Sequence, residues 1–73
     1  MMYNRIRDLR EDSDLKQKDL AALLCCSQQA YSNYELGLRV IPPDILIKLA
    51  DFYETNTDYI LGLTRNKTYY KKL

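Results

Sequence analysis

Two glutamines stand side by side at Gln28 and Gln29, and Ser32 and Asn33 follow one helical turn later in the stretch SQQAYSNYELG. A primary amide carries a donor and an acceptor next to each other, so this cluster can make paired hydrogen bonds. The remaining residues offer no stronger chemistry. There is no histidine, no glycine-rich phosphate loop and no pair of carboxylates at a spacing suited to acid–base work. Catalysis is not expected, and neither is a cofactor. The two cysteines, Cys25 and Cys26, are adjacent. Neighbouring residues form a strained disulfide, and two thiols alone leave a tetrahedral zinc site incomplete, so both are expected to be reduced and no metal is expected.

The elements that carry these side chains follow from composition and periodicity. At 73 residues, 47% hydrophobic and 29% charged, with two Gly and two Pro, the chain suits one small helical domain. Its net charge of +1 supplies no global attraction to nucleic acid or to a membrane, so binding of either kind must come from local placement. No apolar run approaches a membrane span, and the start MMYNRIRDLRED lacks the apolar core of a secretory signal, which points to a cytoplasmic protein. Ile6 and Leu9 mark a first amphipathic helix, and Leu15 plugs the core after it. Leu20, Ala21, Leu23 and Leu24 mark a second. Ser27 is a suitable N-cap for a third helix from Gln28 to about Leu36, which Gly37 can stop. Pro42 and Pro43 can open a fourth, with Ile45, Leu46, Leu49, Phe52 and Tyr53 on its apolar face. Asn56 or Thr57 can cap a short fifth carrying Tyr59, Ile60 and Leu63, which Gly62 ends. The folded part is expected to span residues 1–64, leaving 65–73 as a basic, tyrosine-containing tail.

The second and third helices are joined by only a few residues, which forces a steep crossing of the helix-turn-helix kind. At this point the residues resemble a known family, the phage-repressor-like, Cro and XRE type of DNA-binding domain. The resemblance runs from Ile6 to Leu63 and is carried by QxxLA at Gln17–Ala21, SQxxxSxYExG at Ser27–Gly37, LxxLA at Leu46–Ala50 and DYILG at Asp58–Gly62. It implies an all-α, compact five-helix, lambda-repressor-like fold. It also implies double-stranded DNA as partner, with the third helix in the major groove.

Under that resemblance Gln28 and Gln29 become the first base-reading candidates, because a glutamine amide can bond bidentately to an adenine edge. Ser32 and Asn33 are the second tier. Gln17, at the start of the second helix, is implied as a phosphate contact, with Lys16 and Lys18 flanking it and Arg39 and Tyr34 as further phosphate candidates. A carboxylate beside DNA needs neutralising, and the resemblance pairs Glu35 with Arg10 in a structural ion pair. Pairing on a two-fold site is expected to give a homodimer, with Thr57, Tyr59 and Ile60 as its surface and Tyr69 and Tyr70 as possible additions. Repression rather than activation is a family-level expectation.

Three departures stand out. Cys25 falls where the family's turn commonly has a glycine or asparagine at positive φ, a substitution costing about 1 kcal/mol. The third helix carries no Lys or Arg, so specificity must rest on neutral hydrogen bonds. The loop LRVIPPD offers little basic charge to grip the backbone. Two alternatives stay open: a protein-binding module, such as the antitoxin of a toxin–antitoxin pair, and a redox-responsive regulator using Cys25.

Overall fold

The computed structural model describes residues 5–69, and within them the chain forms five helices: α1 Arg5–Asp12, α2 Gln17–Leu23, α3 Gln28–Glu35, α4 Pro43–Phe52 and α5 Thr57–Ile60. Their starts are set by side chains the sequence makes legible. Ser27 Oγ accepts the Ala30 N–H at 3.1 Å, and Asn56 Oδ1 accepts the Tyr59 N–H at 2.8 Å, each satisfying an orphan donor of a first turn. At α2 the order is reversed: the Asp19 carboxylate reaches back to accept the Lys16 backbone N–H at 2.9 Å. Pro43 opens α4, where the N–H it lacks would have had no helical partner.

The five helix ends share one device. After α3, Gly37 N–H donates to Tyr34 O at 3.2 Å and Leu38 N–H to Asn33 O at 2.9 Å, a Schellman closure that needs positive φ at the residue between. The same pair of bonds ends α1 around Asp14, α2 around Cys25, α4 around Glu54 and α5 around Gly62. Gly37 and Gly62 adopt φ 73° and 78° freely, whereas Asp14, Cys25 and Glu54 hold φ 57°, 56° and 53° despite their Cβ atoms. The Cys25 expectation holds, and the same strain recurs at two further positions.

Three closures turn the chain so that the next residue, Leu15, Cys26 or Thr55, packs inward, whereas Leu38 and Leu63 after the two glycine closures are exposed. Tyr31, Ile6, Leu20, Leu49 and Ile60 are fully enclosed, one from each helix, with Ala21, Leu24, Tyr34, Ile41 and Ala50 around them. Leu9, Leu15, Cys26, Ile45, Leu46 and Tyr53 pack on the outside of that cluster. The apolar rows differ in places from the expected ones. Leu23 is 40% exposed, Phe52 45% and Leu63 73%. At about 100° per residue, Leu23 and Phe52 each sit roughly a quarter-turn off the row that faces inward. Leu63 closes α5 through its N–H to Asp58 O, and its side chain stands outside the core.

The folded part does not stop near Thr64. Asn56 Nδ2 donates to Asn66 O at 2.9 Å and Thr68 O at 2.8 Å, and Thr55 Oγ1 donates to Lys67 O at 3.2 Å. Arg5 Nη1 donates to the carbonyls of Tyr59 and Thr64, tying α1 to α5 and to the start of this segment. Its guanidinium lies 4.2 Å from the Tyr59 ring centroid, and Lys67 Nζ lies 5.4 Å from it. The chain is thus strapped across α5 as far as Tyr69, whose hydroxyl is 3.5 Å from Asp51 Oδ1. Tyr70 lies outside the described residues.

Candidate nucleic-acid interface

Helices α2 and α3 pack directly on each other, joined by residues 24–27, with Leu20, Ala21 and Leu24 of the first segment in one cluster with Tyr31 and Tyr34 of the second. Because Tyr31, Tyr34 and Glu35 point inward, the start of α3 carries its polar residues outward. Gln28 and Gln29 are exposed, and Ser32 and Asn33 are half-buried. Gln29 Nε2 donates to Asn33 Oδ1 at 3.1 Å, an i,i+4 pair that holds both amides along the helix. One Gln29 N–H and its carbonyl oxygen remain for an outside partner, as do both N–H groups of Asn33.

The other candidates are distributed around this helix. Lys16 and Lys18 are exposed on either side of Gln17, and Arg39 is exposed in the loop that follows α3. Gln17 is half-buried, and its Nε2 donates to Glu35 Oε1 at 3.1 Å. Tyr34 is 7% exposed and packs in the core, so structural packing is the role its position displays.

Beneath the interface lies the ion pair that the resemblance implied. Arg10 Nε donates to Glu35 Oε2 at 2.7 Å and Nη2 to Oε1 at 3.2 Å, while Nη1 donates to Leu15 O at 3.0 Å. The guanidinium therefore fastens α1 to the end of α3 and to the loop before α2. Burial would raise the Glu35 carboxyl, but the Arg10 guanidinium, the adjoining Tyr31 hydroxyl and the Gln17 amide outweigh it and hold the group below its ordinary value. The bond to Glu35 correspondingly raises Arg10. Burial, followed by the adjoining carboxylate, pushes the Tyr31 hydroxyl far above its usual range, and burial pushes Tyr53 up to about 12. Glu35 is thus an anion at neutral pH whose charge is matched underneath α3, so it does not oppose a phosphate outside.

Sequence reasoning assigned Ile60 to a pairing surface, and the structure overturns this: Ile60 has no exposure and is a central core side chain of its own protomer. Thr57 is half-buried, and Tyr59 is half-buried beside Arg5 and Lys67. One residue, Ile41, was missed, and Asn56, expected only as a possible cap, has a second role. Ile41, in the loop after Arg39, is 2% exposed and anchors that loop, and Asn56 serves both a helix start and the C-terminal strap. Cys25 is exposed and Cys26 partly buried, both as free thiols.

Two short helices crossing over residues 24–27, the second displaying capped, outward amides, define a helix-turn-helix domain. The family model described as helix-turn-helix matches residues 6–60, and the chain belongs to that family. It is 38% identical over 64 residues to the uncharacterized HTH-type transcriptional regulator YobD of Bacillus subtilis (strain 168), covering 88% of this chain and 57% of that protein. Two further regulators of the same organism are similar: ImmR, 36% identical over 58 residues, covering 80% of this chain and 46% of ImmR; and AnsR, 31% identical over 67 residues, covering 92% and 58%. The chain thus spans about half the length of these curated relatives. No solved structure matches it significantly. Among the described residues no helix is long and apolar enough to cross a membrane.

Proposed function

We propose that this chain is a sequence-specific, DNA-binding transcriptional regulator, a repressor, acting in the cytoplasm without catalytic activity. The observation that carries the proposal is the exposure of Gln28 and Gln29 at the Ser27-capped start of α3, with α2 packed across it. In this reading α3 enters the major groove, where Gln28 reads one adenine edge and Gln29, steadied by Asn33, reads its neighbour. Ser32 and Asn33 reach base edges or a phosphate one turn further along. Gln17, Lys16, Lys18 and Arg39 hold the backbone on either side. Arg10 and Glu35 keep the three helices in register beneath them.

Two copies would bind a two-fold site with half-sites one helical turn, about 34–36 Å, apart. The Cα positions of the described residues extend over 30 × 25 × 23 Å, comparable to that spacing, so two protomers on one face of the duplex would lie close enough to touch. With Ile60 withdrawn, the half-buried Thr57 and Tyr59 remain as contacts for a homodimer that assembles on DNA.

The test is selection of bound sequences from a random duplex pool at low salt, followed by titration of the winner against scrambled DNA. The expected outcome is a two-fold symmetric motif. A second reading, binding to a protein as the antitoxin of a toxin–antitoxin pair does, is favoured by one observation: Leu38 and Val40 in the α3–α4 loop are 71% and 78% exposed. Absence of any enriched motif would select that reading over the first.

A further inference from the structure

A carboxylate has room for several donors and gives none when ionised. Glu35 takes three donors: Oε2 accepts from Arg10 Nε, and Oε1 from both Arg10 Nη2 and Gln17 Nε2. Its side chain is 3% exposed, so it lies out of reach of any duplex. Gln17 is the first residue of α2 and is half-buried, flanked in sequence by the exposed Lys16 and Lys18. An acceptor-only partner also settles which way the amide faces, since its nitrogen and not its oxygen must point inward. That nitrogen carries two N–H groups, and Glu35 takes one. The second leaves the same nitrogen at a fixed angle.

We propose that Glu35 is a positioning residue for DNA binding: it holds the Gln17 amide so that one N–H donates inward to the buried carboxylate and the other outward to a phosphate oxygen. This rests on the reading of Gln17 as a phosphate contact. The arrangement places one neutral NH2 group between two anions, a bridge that a hydroxyl with its single proton cannot make. Without Glu35 the amide would sample both faces and the staggered wells of its terminal sp³ torsion. Half of those orientations turn the carbonyl oxygen toward the phosphate. Three wells and two amide faces give about six states in place of one, so the expected loss is roughly sixfold in affinity per half-site. The last residue of α3 thereby sets a contact made by α2, and the base-reading and backbone-gripping helices are locked to one geometry.

The test uses the full chain and its selected duplex, with each phosphate replaced in turn by a neutral methylphosphonate. Gln17→Ala identifies the phosphate, because its loss and that of the modified duplex do not add. Glu35→Gln, whose amide can turn either its oxygen or its NH2 toward Gln17, is then expected to bind the unmodified duplex more weakly by up to about sixfold per half-site. On the duplex neutralised at that one phosphate it should lose nothing further. Equal losses on both duplexes would make Glu35 a structural ion-pair partner only and overturn the proposal. Gln17→Ala losses that add at every phosphate would instead show that Gln17 makes no such contact, a separate pattern that removes the basis of the proposal. If Glu35→Gln does not fold, amide exchange in the unmodified protein decides. One of the two Gln17 Nε2 protons should exchange more slowly than those of exposed Gln28, and both protons exchanging at the Gln28 rate would overturn the assignment.

Discussion

Replacing Cys25 by glycine should stabilise this protein, and the size of the gain follows from the backbone. Cys25 sits at φ 56° between the two bonds that close α2, Cys25 N–H to Ala22 O and Cys26 N–H to Ala21 O. An L-residue in this left-handed region crowds its Cβ against the following carbonyl at a cost of about 1–2 kcal/mol. The side chain is exposed, so removing it forfeits little packing. Against this, glycine adds freedom to the unfolded chain worth about 0.4–1 kcal/mol. The net expectation is a stabilisation of about 0.5–1 kcal/mol, or a rise of about 2–8 °C in Tm for a domain of this length. Urea and thermal unfolding followed by circular dichroism would measure it. Cys25→Ser keeps the Cβ and should leave stability nearly unchanged, which separates backbone from thiol. Cys25→Val, branched at Cβ, should lower stability below that of the serine variant. An unchanged or lower Tm for the glycine variant, at unchanged m-value, would refute the assignment of strain to this residue.

Removing Arg10 leaves the Glu35 carboxylate buried and unpaired, so Arg10→Met should cost about 3–5 kcal/mol in chemical denaturation. Because the folded Glu35 pKa lies below its ordinary 4.5, the unfolded chain binds more protons as pH falls. Stability from this group is therefore full above about pH 4.5 and drains away below it, and the Glu35→Gln variant should lose this part of the acid dependence. At the other end, Tyr53 pushed up to about 12 from 10.0 stays neutral in the fold while its unfolded form ionises, so stability should fall as pH rises from 10 to 12. Asn56→Asp keeps the oxygen that caps α5 but loses the two N–H groups that hold Asn66 and Thr68. Trypsin should then cut at Arg65 and Lys67 sooner, with the helix content unchanged. Gln28→Ala and Gln29→Ala should each cost about 1–3 kcal/mol on the selected site and almost nothing on scrambled DNA. Equal losses on both would refute base reading.

The places where sequence and structure part company have physical reasons. Gly37 and Gly62 announced their helix ends because glycine is the residue that takes positive φ without penalty. Asp14 and Glu54 end helices in the same way without announcing it, since what fixes them is the burial of the residues that follow, Leu15 and Thr55. Ile60 was misassigned because α5 has four residues, too few for periodicity to separate an inward from an outward face. The strap was missed because Asn66, Lys67 and Thr68 are held by their backbone carbonyls, which every sequence possesses. Gln17 and Glu35 were both singled out, but eighteen positions separate them and no local pattern links them. The caps at Ser27 and Asn56, by contrast, were legible because their chemistry acts within three residues.

What the chain lacks in charge it supplies in amides, and this shapes how it would bind. Its net charge is +1, and α3 contains no cation. Each protomer therefore brings Lys16, Lys18 and Arg39 as its proposed cationic phosphate contacts. Three neutralised phosphates give a slope of log K against log salt of about −2.7 per protomer. That is shallow, so binding to arbitrary sequence should be weak even at low salt. The specific complex instead draws on Gln28, Gln29, Asn33 and Gln17, whose hydrogen bonds are short-ranged and little screened. Raising the salt should then erode non-specific binding in proportion to the three cations, while the advantage of the selected site over scrambled DNA stays nearly constant. A slope much steeper than three charges per protomer would mean that cations outside this set, such as Arg65 or Lys67 freed from its place over Tyr59, reach the backbone. In that case the strap would be a DNA-binding arm, and Asn56→Asp would raise affinity instead of leaving it unchanged.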